Sequence, residues 1–408
     1  MPALSLRAQI IPTIAVYILG LGGMAVIEIC VAMYAPREEI AAWAAIKASL
    51  FVAIPICLLG LDQVLVRNPS RSKSIATISL LLIVAISGLV SIALNASGLV
   101  NEIWKGWACL TLLASSVLFA AYYRAHSSMI KAQIATNLWR FFAAIAIVAL
   151  FFLGLERDYL LIISLSILIA LALAARFNKN PIPSRHSLAD SEQSTSEYFR
   201  VGSRFLAGGF LLNAALHLDQ ILLNLDGEVL ASANYFQHTT LFLLPVVFAS
   251  GFIGFYLGPL LRNNFTQAQL RIKEMWPWLV SAAFGYAILS TVVMSFLFQP
   301  VYGDSAQLSF HLVLPLAFVG TLRLLYSVPS AGLNVYAPTR LLDLNLILSA
   351  IGFLVQIFLY FGLTRSQVPA AEAVAISSAG HWLTKTGGGW FCLYCAIRKA
   401  PSQSNQNI

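Results

Sequence analysis

Long apolar runs separated by short polar connections fill this chain almost from end to end. Each run is about 20 residues, the length an α-helix needs to cross the hydrocarbon core at about 1.5 Å per residue. The pattern predicts about twelve spans, over 10–33, 41–64, 74–95, 106–124, 134–154, 159–176, 202–225, 230–257, 277–298, 307–328, 342–362 and 371–397. One connection is long. Residues 177–199 (FNKNPIPSRHSLADSEQSTSEYF) are polar, Ser-rich and interrupted by proline, which reads as a flexible linker. The expected protein is all-α and polytopic, with a six-helix bundle over 1–176, the linker over 177–199, a second six-helix bundle over 200–397 and a tail over 398–408.

Polar residues inside the runs are few and patterned. Asn213, His217, Gln220 and Asn224 are spaced to share one narrow helix face, and Asn234, Gln237 and His238 repeat the device after an acidic turn. Such seams are costly against lipid, so they should face protein or a hydrated cavity. They can equally be glue between helices. Asp219 lies beside the first seam among leucines and needs a partner or a proton.

Composition agrees with the span count. The chain has 408 residues, 59% hydrophobic and 10% charged, against about 25% charged in a soluble domain. The net charge of +8 reads as positive-inside bias and not as a nucleic-acid surface. Of the 25 Lys and Arg, only Arg37, Lys105, Arg157 and Arg365 fall in odd-numbered loops, and eighteen fall at the termini, the even-numbered loops or beside them. That split predicts a cytoplasmic location for both termini and the linker. The run after Arg7 has no A-x-A site and is read as the first span. Five cysteines imply no disulfide framework, and Cys392-Leu-Tyr-Cys395 lacks the context of a redox motif. S-x-x-K at Ser70 and K-T-G at Lys385 cannot share a catalytic site, since one lies in a loop and the other in a span. With no Walker A, no H-E-x-x-H, no clustered metal ligands and no large external loop, neither an enzyme nor a cofactor is expected.

The three remaining cations lie within spans. Lys385 is near the middle of span 12, on one face with Ser378, His381 and Gly389, where an ammonium costs about 2.5–3.5 kcal/mol. It should meet a hydrated cavity or a carboxylate. Lys47 and Glu28 lie at similar depth on neighbouring antiparallel helices and can neutralise one another. Arg323 is a turn or two from the cytoplasmic end of span 10, where snorkelling is expected. Asp62, at the inner end of span 2, has Arg67 as its plain partner.

The halves share a faint repeat. Glu28 and Asp219 are each followed by an acidic turn and then by a helix broken at Pro55 or Pro245, ending at Arg67-Asn68 or Arg262-Asn263. Parallel repeats of this kind are a transporter architecture. The stretches GLDQVLVRN (60–68), LDQILLNLDGEVLASANYFQ (218–237) and GFIGFYLGPLLRN (251–263) resemble the polysaccharide flippases of the multidrug/oligosaccharidyl-lipid/polysaccharide (MOP) exporter superfamily. The resemblance implies two six-helix lobes in a V shape around a cationic cavity. It implies movement of undecaprenyl-pyrophosphate-linked O-antigen or capsule repeat units across a bacterial inner membrane. Span 1 lacks the arginines of lipid II flippases, which favours a glycan repeat unit.

On this reading the substrate-binding candidates are Lys385, Lys47, Arg323, His381, Asn213, His217, Gln220, Asn234 and His238. Asp219 and Glu28 are the candidates for coupling to H+ or Na+, with His217 or His238 as a relay. The expected partners are the lipid-linked glycan, the bilayer and a glycan polymerase complex, with no nucleic acid. Three other classes stay open: a MATE-like small-molecule or cation antiporter, which would have an anionic aromatic cavity; a membrane glycan polymerase or ligase; and a non-transporting scaffold.

Overall fold

The computed structural model describes residues 2–126, 128–176, 195–263, 265–303, 306–336 and 338–399. Every element among them is helical. The medium dictates this, because in hydrocarbon a backbone amide has no water to bond and a helix satisfies each amide within its own segment. The first eight helices are α1 (Pro2–Tyr34), α2 (Arg37–Leu58), α3 (Leu61–Arg67), α4 (Ser72–Ala96), α5 (Ile103–Ala125), α6 (Met129–Gln133), α7 (Trp139–Leu153) and α8 (Tyr159–Arg176). The rest are α9 (Thr195–Leu225), α10 (Val229–Asn263), α11 (Phe265–Ile288), α12 (Ser295–Tyr302), α13 (Phe310–Tyr336), α14 (Thr339–Arg365) and α15 (Ala370–Lys399). Two wider π turns, Ile134–Leu138 and Leu289–Met294, join α6 to α7 and α11 to α12.

The chain is a multi-pass membrane protein. Ten helical stretches among the described residues are long and apolar enough to span a bilayer. The other two expected spans fall on α10 and α15, helices of 35 and 30 residues that are outside those ten. For α15 the reason is composition, since Glu372, His381, Lys385 and a run of glycines dilute its apolar residues. Span 2 also ends earlier than its hydropathy suggests. α2 stops at Leu58, and the left-handed Leu59 and Gly60 turn the chain before α3. A Cβ at Gly60 would lie 2.1 Å from the Gly202 carbonyl oxygen, so both the turn and the close approach require glycine.

Asp62 therefore stands beyond the span, on α3. Its carboxylate accepts Gln63 Nε2 at 2.6 Å. Burial pushes its carboxyl pKa up, against the opposing pull of the Gln63 bond and the Arg124 charge.

The helices group into two compact units, Met1–Asn213 and Ala214–Ile408, so that α9 contributes to both. Residues 177–194, most of the expected linker, lie outside the described residues. In the first unit α4 packs along α5, α1 along α7, and α8 against α5 and α7. A carboxylate ties its ends together: Glu39 accepts Arg157 Nε at 2.7 Å and Nη2 at 2.6 Å, and also the Tyr159 hydroxyl at 2.6 Å. In the second unit α15 packs against α13 and α14, and α10 and α11 pack against α13. α13 is its central strut, with 72% of its apolar window buried against 22% for α14.

α1 approaches α7 through two glycines one turn apart. A Cβ on Gly20 would sit 2.6 Å from the Asn137 carbonyl oxygen, and one on Gly23 would sit 2.6 Å from that of Arg140. Both obstacles are backbone, which no rotamer change relieves; Asn137 lies in the π turn and Arg140 in the first turn of α7. Gly23→Val is expected to cost about 3 kcal/mol, the upper end of overpacking penalties. Thermal unfolding of purified protein in detergent checks this, and an unchanged midpoint would refute the close packing.

Candidate functional site

In the second unit two cations are buried, Arg323 on α13 and Lys385 on α15. Lys385 is 2% exposed, and its Nζ lies 5.4 Å from the Tyr326 ring and 6.0 Å from the Trp382 ring. Arg323 stacks its guanidinium 4.9 Å over the same indole. Trp382 is fixed in turn, because its Nε1 donates to the Ala215 carbonyl of α9 at 3.0 Å. The counter-charge comes from α9. Asp219 accepts the Tyr235 hydroxyl at 2.7 Å and the Gln220 amide at 2.8 Å, and its charge acts on Arg323. His381, fully buried, meets Gln356 Oε1 through Nδ1 at 2.6 Å, with the charges of Lys385 and Arg323 both acting on it. The arrangement joins two cations, one carboxylate, a histidine and an indole from α9, α13 and α15.

A second cluster lies in the first unit. Lys47 donates to Glu28 at 3.0 Å across α2 and α1, the pairing expected from their matched depths. Arg140 joins them from α7. Its guanidinium lies 5.9 Å over Phe51 and 5.5 Å over Trp139, and the charge of Glu28 acts on it. Its Nε has no hydrogen-bond partner among the described residues. Glu28 is thus a carboxylate approached by two cations.

The seams have mostly structural tasks. Asn224 donates to the Gln220 carbonyl and to Ser232 Oγ, both at 2.8 Å, and Ser232 donates to Gln220 Oε1 at 3.2 Å. These bonds clamp α9 to α10 beside their turn. Asn213 bonds back to the Gly209 carbonyl of its own helix at 2.9 Å. His238 has both ring nitrogens engaged: Nδ1 with the Asn234 carbonyl at 2.8 Å, and Nε2 accepting the Ser309 amide at 3.1 Å. It packs between Phe242 and Phe298 as a core histidine with no nitrogen left to relay a proton. His217 on α9 and Asn234 on α10 are both half-buried.

Arg323 departs from expectation. It does not snorkel: it is 8% exposed and turned inward, because the Trp382 face and the Asp219 charge hold it inside the unit. Four contributors had escaped the sequence reading, namely Arg140, Tyr235, Gln356 and Trp382. Arg140 had a signal, since it stands well inside its own helical span, 11 residues after Met129. Gln356 had another, as an amide deep in the apolar α14.

No protein-family model and no curated protein matches the chain. Solved structures do. One titled as an inward-facing multidrug resistance MATE family transporter of the MOP superfamily aligns with a TM-score of 0.61, over 94% of this chain and 96% of that one. A MATE structure in a bent conformation aligns at 0.52 over 98% and 96%, and a MATE complex with MaD3S at 0.50 over 95% and 97%. The fold is that of the MATE transporters. Identity is 14% in all three, so the likeness carries the fold and leaves the cargo to this chain's own residues. On its MATE fold the two clusters together hold four cations, Lys47, Arg140, Arg323 and Lys385, against two carboxylates, Glu28 and Asp219.

Proposed function

We propose that this protein moves undecaprenyl-pyrophosphate-linked glycan repeat units from the inner to the outer leaflet of a bacterial cytoplasmic membrane. The observation that carries the reading is the excess of fixed positive charge in the buried clusters of a MATE-like fold. A cation exporter needs the opposite sign in its membrane interior, whereas a diphosphate headgroup needs ammonium or guanidinium donors. Lys385 is the leading contact for the anionic headgroup when the protein opens to cargo, with Lys47 and Arg140 serving the same chemistry in the first unit. Asp219 and Glu28 are the groups for coupling to H+ or Na+. A glycan polymerase is the natural neighbour of such an activity.

The orientation belongs to the same proposal. Both termini and residues 177–199 are cytoplasmic, from the loop charge split. Ser191→Cys in a background without native cysteines is expected to resist an impermeant thiol reagent added outside intact cells. Labelling from outside would reverse the orientation.

One observation favours a second reading, small-molecule or cation antiport: the aligned structures are MATE transporters, one of them titled as a multidrug resistance protein. The two separate in vesicles. A glycan flippase exposes lipid-linked sugar on the opposite leaflet and leaves an entrapped lipophilic cation in place, and an antiporter does the reverse.

A further inference from the structure

The transport reading leaves one group without a task, the inner edge of Arg323. Its Nε and Nη2 are both buried and both lack a hydrogen-bond partner among the described residues. Those two atoms form the side-on fork of a guanidinium, the edge that grips an anion with two parallel N–H donors. The fork is held in place. Trp382 covers its plane at 4.9 Å, and that indole is anchored to the Ala215 carbonyl at 3.0 Å. Leaving such donors without an acceptor costs about 1–3 kcal/mol, and more when the donor is charged.

Charge points the same way as geometry. Asp219 is the carboxylate whose charge acts on Arg323, and its oxygens already accept Tyr235 and the Gln220 amide. Lys385 adds a second positive charge on the same indole. Two cations and one carboxylate therefore surround this indole, a setting that favours an anion at the fork.

We infer that the Arg323 fork binds a small monovalent anion of the halide class, chloride under cellular conditions, within the second unit. Size selects this class. Arg323 is 8% exposed, Lys385 and Trp382 are each 2%, and His381 and Gln356 are fully buried, so in this closed arrangement the fork admits only a small anion. Among monovalent anions, a large weakly hydrated one loses least on leaving water. The inference does not depend on which cargo the protein carries.

Equilibrium binding of radiolabelled chloride to the purified full-length protein in detergent tests this, with gluconate maintaining ionic strength. The wild type is expected to bind about one chloride per chain saturably, and its unfolding midpoint should rise with chloride as ligand linkage requires. Arg323→Gln removes the fork and is expected to weaken binding by about tenfold to a hundredfold. Arg323→Lys keeps the charge without the paired donors and should fall between the two. If Arg323→Gln fails to fold, the wild-type stoichiometry and the lysine variant still decide. Absence of saturable chloride binding to the wild type overturns the proposal. So does unchanged affinity in whichever Arg323 variant folds, which would place the anion elsewhere.

Discussion

Lys385→Ala should lower the rate at which lipid-linked glycan crosses reconstituted vesicles by about tenfold to a hundredfold, the worth of one charge-assisted contact. The residue is 2% exposed on α15 and held beside the Tyr326 and Trp382 rings, so its ammonium is fixed rather than mobile. Protein abundance should stay near that of the wild type. Lys385→Arg should retain part of the activity, because it keeps the charge while changing its shape. A structural ion pair makes a different prediction. Removing the cation would then strand a buried carboxylate, and the alanine variant would be lost from the membrane at a cost of about 3–5 kcal/mol. Full glycan transport by a stable alanine variant would take Lys385 out of the site altogether.

The second large effect belongs to Asp219. Its carboxylate sits on α9, 4% exposed, with the Tyr235 hydroxyl at 2.7 Å and the Arg323 charge acting upon it. Asparagine preserves the shape and one acceptor oxygen, but cannot exchange a proton or hold a sodium ion by charge. If Asp219 couples transport to an ion gradient, Asp219→Asn retains the fold and loses the acceleration that an imposed pH or sodium gradient produces. Transport in vesicles with and without the gradient reads this directly. An asparagine variant that responds to the gradient as the wild type does would remove the coupling role.

The architecture was legible because hydrocarbon permits so few solutions. Runs of about 20 apolar residues become helices wherever they occur. Depth along a helix was legible as well, since a fixed rise per residue placed Glu28 and Lys47 opposite each other before any contact was known. Facing direction was not. Position along span 10 suggested that Arg323 reaches for the surface, yet the indole that turns it inward comes from a helix about 60 residues later in the chain. Arg140 was hidden for a similar reason: the Glu28 carboxylate and the Phe51 ring beside it belong to α1 and α2. The spacing of Asn213, His217, Gln220 and Asn224 puts them on one helix face, but spacing could not distinguish a cargo surface from a clamp. Ser232 supplied the difference by bridging Gln220 and Asn224 across the turn. The left-handed Leu59-Gly60 turn was hidden by hydropathy, because leucine and glycine there leave the apolar average intact while the backbone changes hand.

The sign of the cargo is the central claim, and one measurement addresses it most directly. Purified protein is reconstituted into vesicles that carry undecaprenyl-pyrophosphate-linked glycan in the inner leaflet and entrap a lipophilic fluorescent cation. Exposure of the glycan to an impermeant glycosidase and release of the cation are followed in the same sample. The account predicts glycan exposure far faster than in protein-free vesicles, with the cation retained. Release of the cation without any acceleration of glycan exposure would contradict it.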